Sequence, residues 1–283
     1  MTINTDFLRQ LDEFQLVVKK KVTSSFTGDR RSEVTGSGLV FRDYANYVYG
    51  DDFKNIDWKA FGRTDKFFVK RYEEDRNLTV HIIVDFSGSM DFGGKVKKYE
   101  YASMIALGFA YIAMKNNERF VLGTFDDKLD FFRPSKGRGN IASILNYLNK
   151  KKAVGVSSFY ESLIKYKKLV SSRSLLVIIS DFFYDTKQVE GILNKYKKNK
   201  IVLIQVLDEL EKNLNIDGDY DLIDLESSDR LHTFVDPYLR KKYFEQLQDH
   251  QAKIRKISDS LKADFYVVGS DENVFDVFYR VLY

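Results

Sequence analysis

In the stretch VHIIVDFSGSMDF, residues 80–92, an apolar strand changes character within one residue. Val80, Ile82, Ile83 and Val84 are β-branched, and such a run fits a strand buried on both faces, as in a parallel sheet. Asp85, Ser87, Gly88 and Ser89 follow at once. A turn accounts for the glycine and one aspartate. It does not account for a carboxylate and two hydroxyls at alternate positions.

Outward from this strand the chain alternates. YEYASMIALGFAYIAMKN (99–116) is apolar on most faces, as expected of a helix buried against a sheet. RFVLGTFD (119–126) reads as a strand, and KLDFFRPS (128–135) as a short edge strand, because Pro134 is poorly tolerated in a sheet centre. NIASILNYLNK (140–150) and SFYESLIKYKKLV (158–170) read as helices. SLLVIISD (174–181) is a second strongly apolar strand, and it too ends in a carboxylate, Asp181. TKQVEGILNKYKK (186–198) is a helix and KIVLIQVLD (200–208) a strand. A hairpin at about 219–235 turns around Ser227–Ser228, a long amphipathic helix spans about 238–261, and a strand (263–270) and a helix (273–282) close the chain. This order implies βαβ units and a mostly parallel α/β sheet with helices on both faces.

Residues 1–76 differ. A helical pattern (Phe7, Leu8, Leu11, Phe14) leads into a glycine- and aromatic-rich segment with a turn at Gly50–Asp51. The expected division is therefore a helix and β-rich segment over 1–76 and an α/β domain over 77–283. EEDRNLTV runs from one into the other without a Gly/Ser/Pro linker, so the first part is expected to pack on the second.

The 283 residues are 44% hydrophobic and 30% charged, the composition of an ordinary globular protein. A net charge of +4, spread over short lysine runs, does not argue for nucleic acid. With no cysteine, the chain has no disulfides, no thiolate zinc site and no cysteine nucleophile. MTINTDFLRQLDEFQLVV carries acids where a signal's apolar core belongs, and no run reaches the roughly 18 apolar residues of a membrane span. The expected location is cytoplasmic.

In open α/β sheets, ligands bind beyond the carboxyl ends of the strands. Asp85 and Asp181 lie at that end, and two carboxylates meeting there repel unless a positive charge joins them. Ser87 and Ser89 add hydroxyls, and Ser157 or Ser158 in GVSSFYESL (155–163) supplies a third. Carboxylates and hydroxyls without His or Cys form a hard-oxygen set suited to Mg²⁺ or Mn²⁺.

DFSGSM (85–90) matches the Asp-x-Ser-x-Ser signature of von Willebrand factor type A domains, and the chain resembles that family. The resemblance implies a von Willebrand A-like, Rossmann-like fold and a metal-ion-dependent adhesion site. It assigns Asp85, Ser87 and Ser89 to the first loop, Ser157 to the family's threonine position and Asp181 to the last aspartate. Ser in place of Thr loses a methyl, and SDFF (180–183) stands where Thr-Asp-Gly is usual. Upstream, Arg42-x-Tyr44, Gly50-Asp51-Asp52 and Ile56-Asp57-Trp58 resemble the block of the prokaryotic domain of unknown function fifty-eight family. That resemblance covers roughly residues 25–283. It implies a non-enzymatic adaptor or chaperone-like protein that binds a partner's carboxylate through the metal, with a MoxR-type AAA+ ATPase as partner.

Plainer readings stand beside these. The Asp85–Ser89 segment also suits a polar turn and helix cap. Phe53, Ile56 and Trp58 are expected in a core, and Asp52 and Asp57 to pair with Arg42 or Arg63. KGRGN (136–140) lacks the ending of a phosphate loop. The three histidines do not pair as ligands or bases. The competing function is a metal-dependent hydrolase built on the same cluster. It lacks a Lys, His or second acid beside the motif to act as general acid. Removing Asp85 is expected to leave the metal-free fold unchanged or slightly more stable, because it relieves repulsion from Asp181.

Overall fold

The computed structural model describes residues 7, 9–14, 40–73, 79–132, 140–170 and 174–282. The chain divides into two compact units. One joins the opening helix to residues 78 onward, and the other lies within 16–77.

The larger unit is built on a six-stranded sheet in the order β10-β7-β6-β3-β4-β5. Its strands are β3 (Thr79–Asp85), β4 (Arg119–Phe125), β5 (Leu129–Phe132), β6 (Ser174–Ser180), β7 (Lys200–Leu207) and β10 (Asp264–Gly269). All pair in parallel except β5, which lies antiparallel at the edge as its proline-bearing sequence predicts. β3 and β6 are buried along almost their whole length, which explains why they read as apolar runs without alternation.

Successive residues of β3 point to opposite faces. Ile83 meets a layer that includes Leu163, Tyr166, Ile192 and Ile254 from helices α4 (Phe159–Tyr166), α5 (Thr186–Tyr196) and α7 (Pro237–Ser260). The opposite face is covered by α2 (Lys98–Lys115), in turn flanked by α3 (Asn140–Lys150) and α8 (Val274–Leu282). Gly108 of α2 is required by this packing, since a Cβ there would lie 2.0 Å from the Phe278 ring. The opening helix belongs to the same layer rather than to the segment that follows it. Phe7 and Phe14 lie 5.6 Å from the Phe275 ring, and Asp12 bonds Lys115 Nζ at 2.8 Å.

Two further pieces stand outside the sheet. α6 (Glu209–Asn213) follows β7, and the hairpin of β8 (Gly218–Ile223) and β9 (Arg230–Val235) leads into α7. Among the described residues no helix is long and apolar enough to cross a membrane.

The smaller unit pairs β1 (Val40–Asn46) antiparallel with β2 (Phe68–Glu73), with α1 (Trp58–Thr64) between them. The Gly50 turn forms, closed by Asp51 N to Val48 O. Within this unit Ile56 is buried, but Phe53 and Trp58 are 65% and 60% exposed, against the expectation of a core. One hairpin and one short helix have too little surface to enclose three large side chains. Asp57 caps α1 and pairs with Lys70 at 3.3 Å rather than with Arg63, while Asp52 caps the single turn Phe53–Asn55. KGRGN lies outside the described residues except for Asn140.

Candidate functional site

β3 lies where strand order reverses, with β4 on one side and β6 on the other. In open α/β sheets the loops leaving two such strands diverge at the carboxyl edge, where ligands bind. Register sets Val84 beside Ile179, so Asp85 meets Ser180 at the strand ends. The Asp85 carboxylate is completely buried. Its Oδ1 accepts from Ser87 N at 2.8 Å, and its Oδ2 accepts from Ser180 Oγ at 2.7 Å and from the Tyr184 hydroxyl.

The loop after Asp85 is pinned to its neighbours by backbone bonds. Phe86 N donates to Phe125 O, Gly88 N to Gly155 O, and Val154 N to Phe86 O. These bonds bring the Ser87–Ser89 loop against the Gly155–Ser157 loop. Ser87 Oγ and Ser89 Oγ lie 3.1 Å apart. Ser158 is the helix-cap residue and is tied to Asp126 O at 2.7 Å, whereas Ser157 Oγ lies 2.8 Å from the Tyr184 hydroxyl. Tyr184 therefore bridges Ser157 to Asp85. Its ring is held by stacking on Phe159, with centroids 4.4 Å apart. Phe182 turns the chain toward this position with φ +53°, a left-handed conformation uncommon for a bulky side chain.

Asp181 is also buried, but its carboxylate is engaged elsewhere. Its Oδ2 lies 2.9 Å from Lys98 Nζ, which also reaches Glu211 Oε1 at 2.6 Å. Lys98 is itself fully buried, with its ammonium 5.5 Å from the Phe183 ring centre. Burial works against this ammonium, but the charges of Asp181 and Glu211 outweigh it and hold its pKa above the ordinary lysine value. Burial raises Glu211, with Lys98 opposing. Burial raises Asp85 to about 6, the charge of Asp181 adds to it, and the bonds from Tyr184 and Ser87 oppose it. Tyr184 is pushed well up, by burial first and then by Asp85 and Asp181.

The five oxygen residues marked by sequence thus divide. Asp85, Ser87, Ser89 and Ser157 share one hydrogen-bonded neighbourhood, while Asp181 couples to Asp85 through charge but bonds Lys98. Lys98, Glu211, Tyr184 and Ser180 were not marked. Lys98 had a legible signal: it heads the stripe Lys98, Ala102, Ile105, Phe109, whose other members are apolar. A lysine and a further acid stand beside Asp181, because α2 and α6 bring them from elsewhere in the chain. Asp85 also accepts three hydrogen bonds, so Asp85→Ala would strand donors as well as relieve repulsion. Asp85→Asn is the cleaner variant.

Among the described residues no three His, Cys, Asp or Glu side chains gather as a ready-made metal cage. Charge and donor type nevertheless fit a hard dication. Asp181 and Glu211 share one ammonium, Lys98, while the buried Asp85 carboxylate has only neutral donors around it and the charge of Asp181 nearby. Hydroxyls from Ser87, Ser89 and Ser157 supply neutral oxygens beside them. A cleft of about 640 Å³ lies over the ends of β7 and β10, lined by residues including Tyr101, Asp208, Ser270 and Glu272, and none of the five candidate residues lines it.

Comparison with known proteins places these features in a family. An uncharacterized protein of Mycobacterium tuberculosis (strain ATCC 25618 / H37Rv), Rv1480, is 25% identical over 251 residues, covering 87% of this chain and 79% of the relative. Among solved structures, the conserved hypothetical protein BatB from Bacteroides thetaiotaomicron aligns with a TM-score of 0.43 at 10% identity, over 72% of this chain and 96% of that one. The SpRpn10 VWA domain aligns with a TM-score of 0.43 at 11% identity, over 72% and 94%. The family described as "Protein of unknown function DUF58" matches residues 43–253, a span that contains the strand-end oxygens, Lys98 and the hairpin, and the chain belongs to that family.

Proposed function

We propose that the chain is a non-enzymatic protein-binding module of the von Willebrand A type, in which Asp85, Ser87, Ser89, Ser157 and Asp181 hold Mg²⁺ or Mn²⁺. The observation that carries this reading is the buried Asp85 carboxylate, surrounded by neutral donors, under the charge of Asp181 and beside three serine hydroxyls. When bound, the ion supplies a charge that accepts a carboxylate from a partner protein. The chain's own residues do the rest. Asp85 and Asp181 set the local charge, the serines provide neutral oxygens, and Lys98 holds the Asp181 carboxylate in place. Family resemblance names a MoxR-type AAA+ ATPase as the partner, with this chain as its adaptor.

The hydrolase reading requires a general acid. Tyr184 bonds Asp85 but burial and the nearby acids push its pKa well up, and Lys98 is sealed from solvent between two carboxylates. That geometry favours a structural counter-charge over proton transfer.

Calorimetric titration of the protein with Mg²⁺ and Mn²⁺ tests the metal. At roughly 100 times Kd, binding adds about 2.7 kcal/mol of stability. For a chain of this size that raises Tm on the order of 5–10 °C. The Ser87→Ala/Ser89→Ala double variant is expected to lose most of this gain. Equal shifts in both proteins would place the ion elsewhere, and no shift in either would end the metal reading. Affinity capture with and without EDTA then tests whether partner binding follows the ion.

A further inference from the structure

The tip of the β8–β9 hairpin lies against both serine-bearing loops. A Cβ at Gly88 would fall 2.3 Å from Leu225 O, so the first loop can approach the hairpin this closely only because position 88 has no side chain. On the second loop, Ser157 N donates to Glu226 Oε2 at 3.2 Å. The turn that presents Glu226 is internally braced. Asp224 Oδ1 accepts from Glu226 N at 2.7 Å and Ser227 N at 3.0 Å, and Asp224 N donates to Asp229 O. The hairpin's flanks are open by contrast, with Leu222 42%, Leu231 62% and Phe234 59% exposed. A carboxylate is thus carried on a stiff arm to the mouth of the oxygen cluster.

We propose that Glu226 is an internal ligand of this site, occupying the place a partner's carboxylate takes, so that a partner binds by displacing the hairpin tip. The proposal rests on the metal reading above. Charge explains the device. In the metal-free protein the Ser157 amide holds Glu226 at 3.2 Å, and an ionised Asp85 opposes a further carboxylate at the site. A dication reverses that balance and holds the Glu226 carboxylate at the site. Because Glu226 is tethered, its effective concentration at the site is on the order of millimolar, which a partner must exceed in binding strength. The exposed flanks of the hairpin are then the surface a partner can grip while it lifts the tip.

Mn²⁺ is the probe. Its free concentration is read by electron paramagnetic resonance, and its bound waters by the relaxation rate of water protons. Glu226→Gln is expected to bind Mn²⁺ at least roughly tenfold more weakly, since groups that only support a metal's ligands already act on that scale, with a higher relaxation rate from the added water. Acetate should lower that rate in Glu226→Gln and leave the wild type unchanged, because the wild type already holds a carboxylate there. Equal Mn²⁺ affinity and hydration in the two proteins, each folded by circular dichroism, would overturn the internal ligand while leaving the metal site standing. If the wild type takes up no Mn²⁺, or the Ser87→Ala/Ser89→Ala variant takes it up equally well, the metal reading falls and the internal ligand with it.

Discussion

Asp57 of the small unit and Asp85 of the sheet unit are both almost fully buried aspartates, and each accepts a hydrogen bond from a tyrosine hydroxyl. Their carboxyls are shifted in opposite directions. Asp57 is held down to about 2 by the Tyr44 hydroxyl first, then by the backbone amide of Ala60, Lys70 and the amide of Lys59. Asp85 is raised to about 6 by burial and by Asp181. Burial alone does not set the state of a carboxylate. Asp57 ends in a cation and a helix start, so its charge is answered within its own unit and its role is structural. Asp85 has hydroxyls and one amide around it and another acid nearby, so its charge is left to be answered from outside.

The largest test of this contrast is to remove the cation that Asp181 and Glu211 share. Lys98→Met should cost about 3–5 kcal/mol in urea unfolding, because it leaves Asp181 and Glu211 buried and unpaired. Mg²⁺ should restore part of the loss if the cluster accepts a dication. A loss under about 1 kcal/mol would mean that the buried charges are not coupled.

Neutralising each aspartate in turn should give unequal results. Asp57→Asn is expected to loosen the start of α1, seen as faster amide exchange over residues 58–64. Asp85→Asn is expected to change global stability by less than about 1 kcal/mol, since it relieves the repulsion from Asp181 while keeping an oxygen to accept a hydrogen bond. Equal destabilisation by both would break the comparison.

The smallest signal is also the most direct. Carboxyl carbon shifts followed by NMR should show Asp57 titrating near 2 and Asp85 near 6. The folded value of Asp85 lies above its unfolded value of about 3.9, so its contribution favours folding at low pH and is lost as pH rises through 6. Asp57 lies below, so its contribution is present above about 4 and is lost as pH falls toward 2. Mg²⁺ should draw the Asp85 midpoint down and leave Asp57 in place.

Much of the fold was legible because β3 and β6 are buried on both faces and carry that fact as apolar runs, each closed by an acid. The hydroxyl pattern after Asp85 was legible for the same local reason. What the sequence hid came from tertiary placement. Tyr184 reaches Asp85 only through the left-handed turn at Phe182, in the loop whose sequence departs from the family pattern. Glu226 has no local signal, since a glutamate at a hairpin tip looks like any solvated turn residue. Phe53 and Trp58 misled because large aromatics suggest a core, while the small unit has too few elements to make one around them.

Asp85 bonds Ser180 and Tyr184 across 95 and 99 residues of chain. Closing a loop of that length is an entropic cost that grows only logarithmically, so doubling it would add about 0.6 kcal/mol. Length added in exposed loops between β3 and β6, away from Lys98 and the Gly155–Ser157 loop, therefore costs little at the oxygens that meet at the strand ends. The fixed quantity is the pairing of two strands, and the spacing of residues along the chain is free to drift.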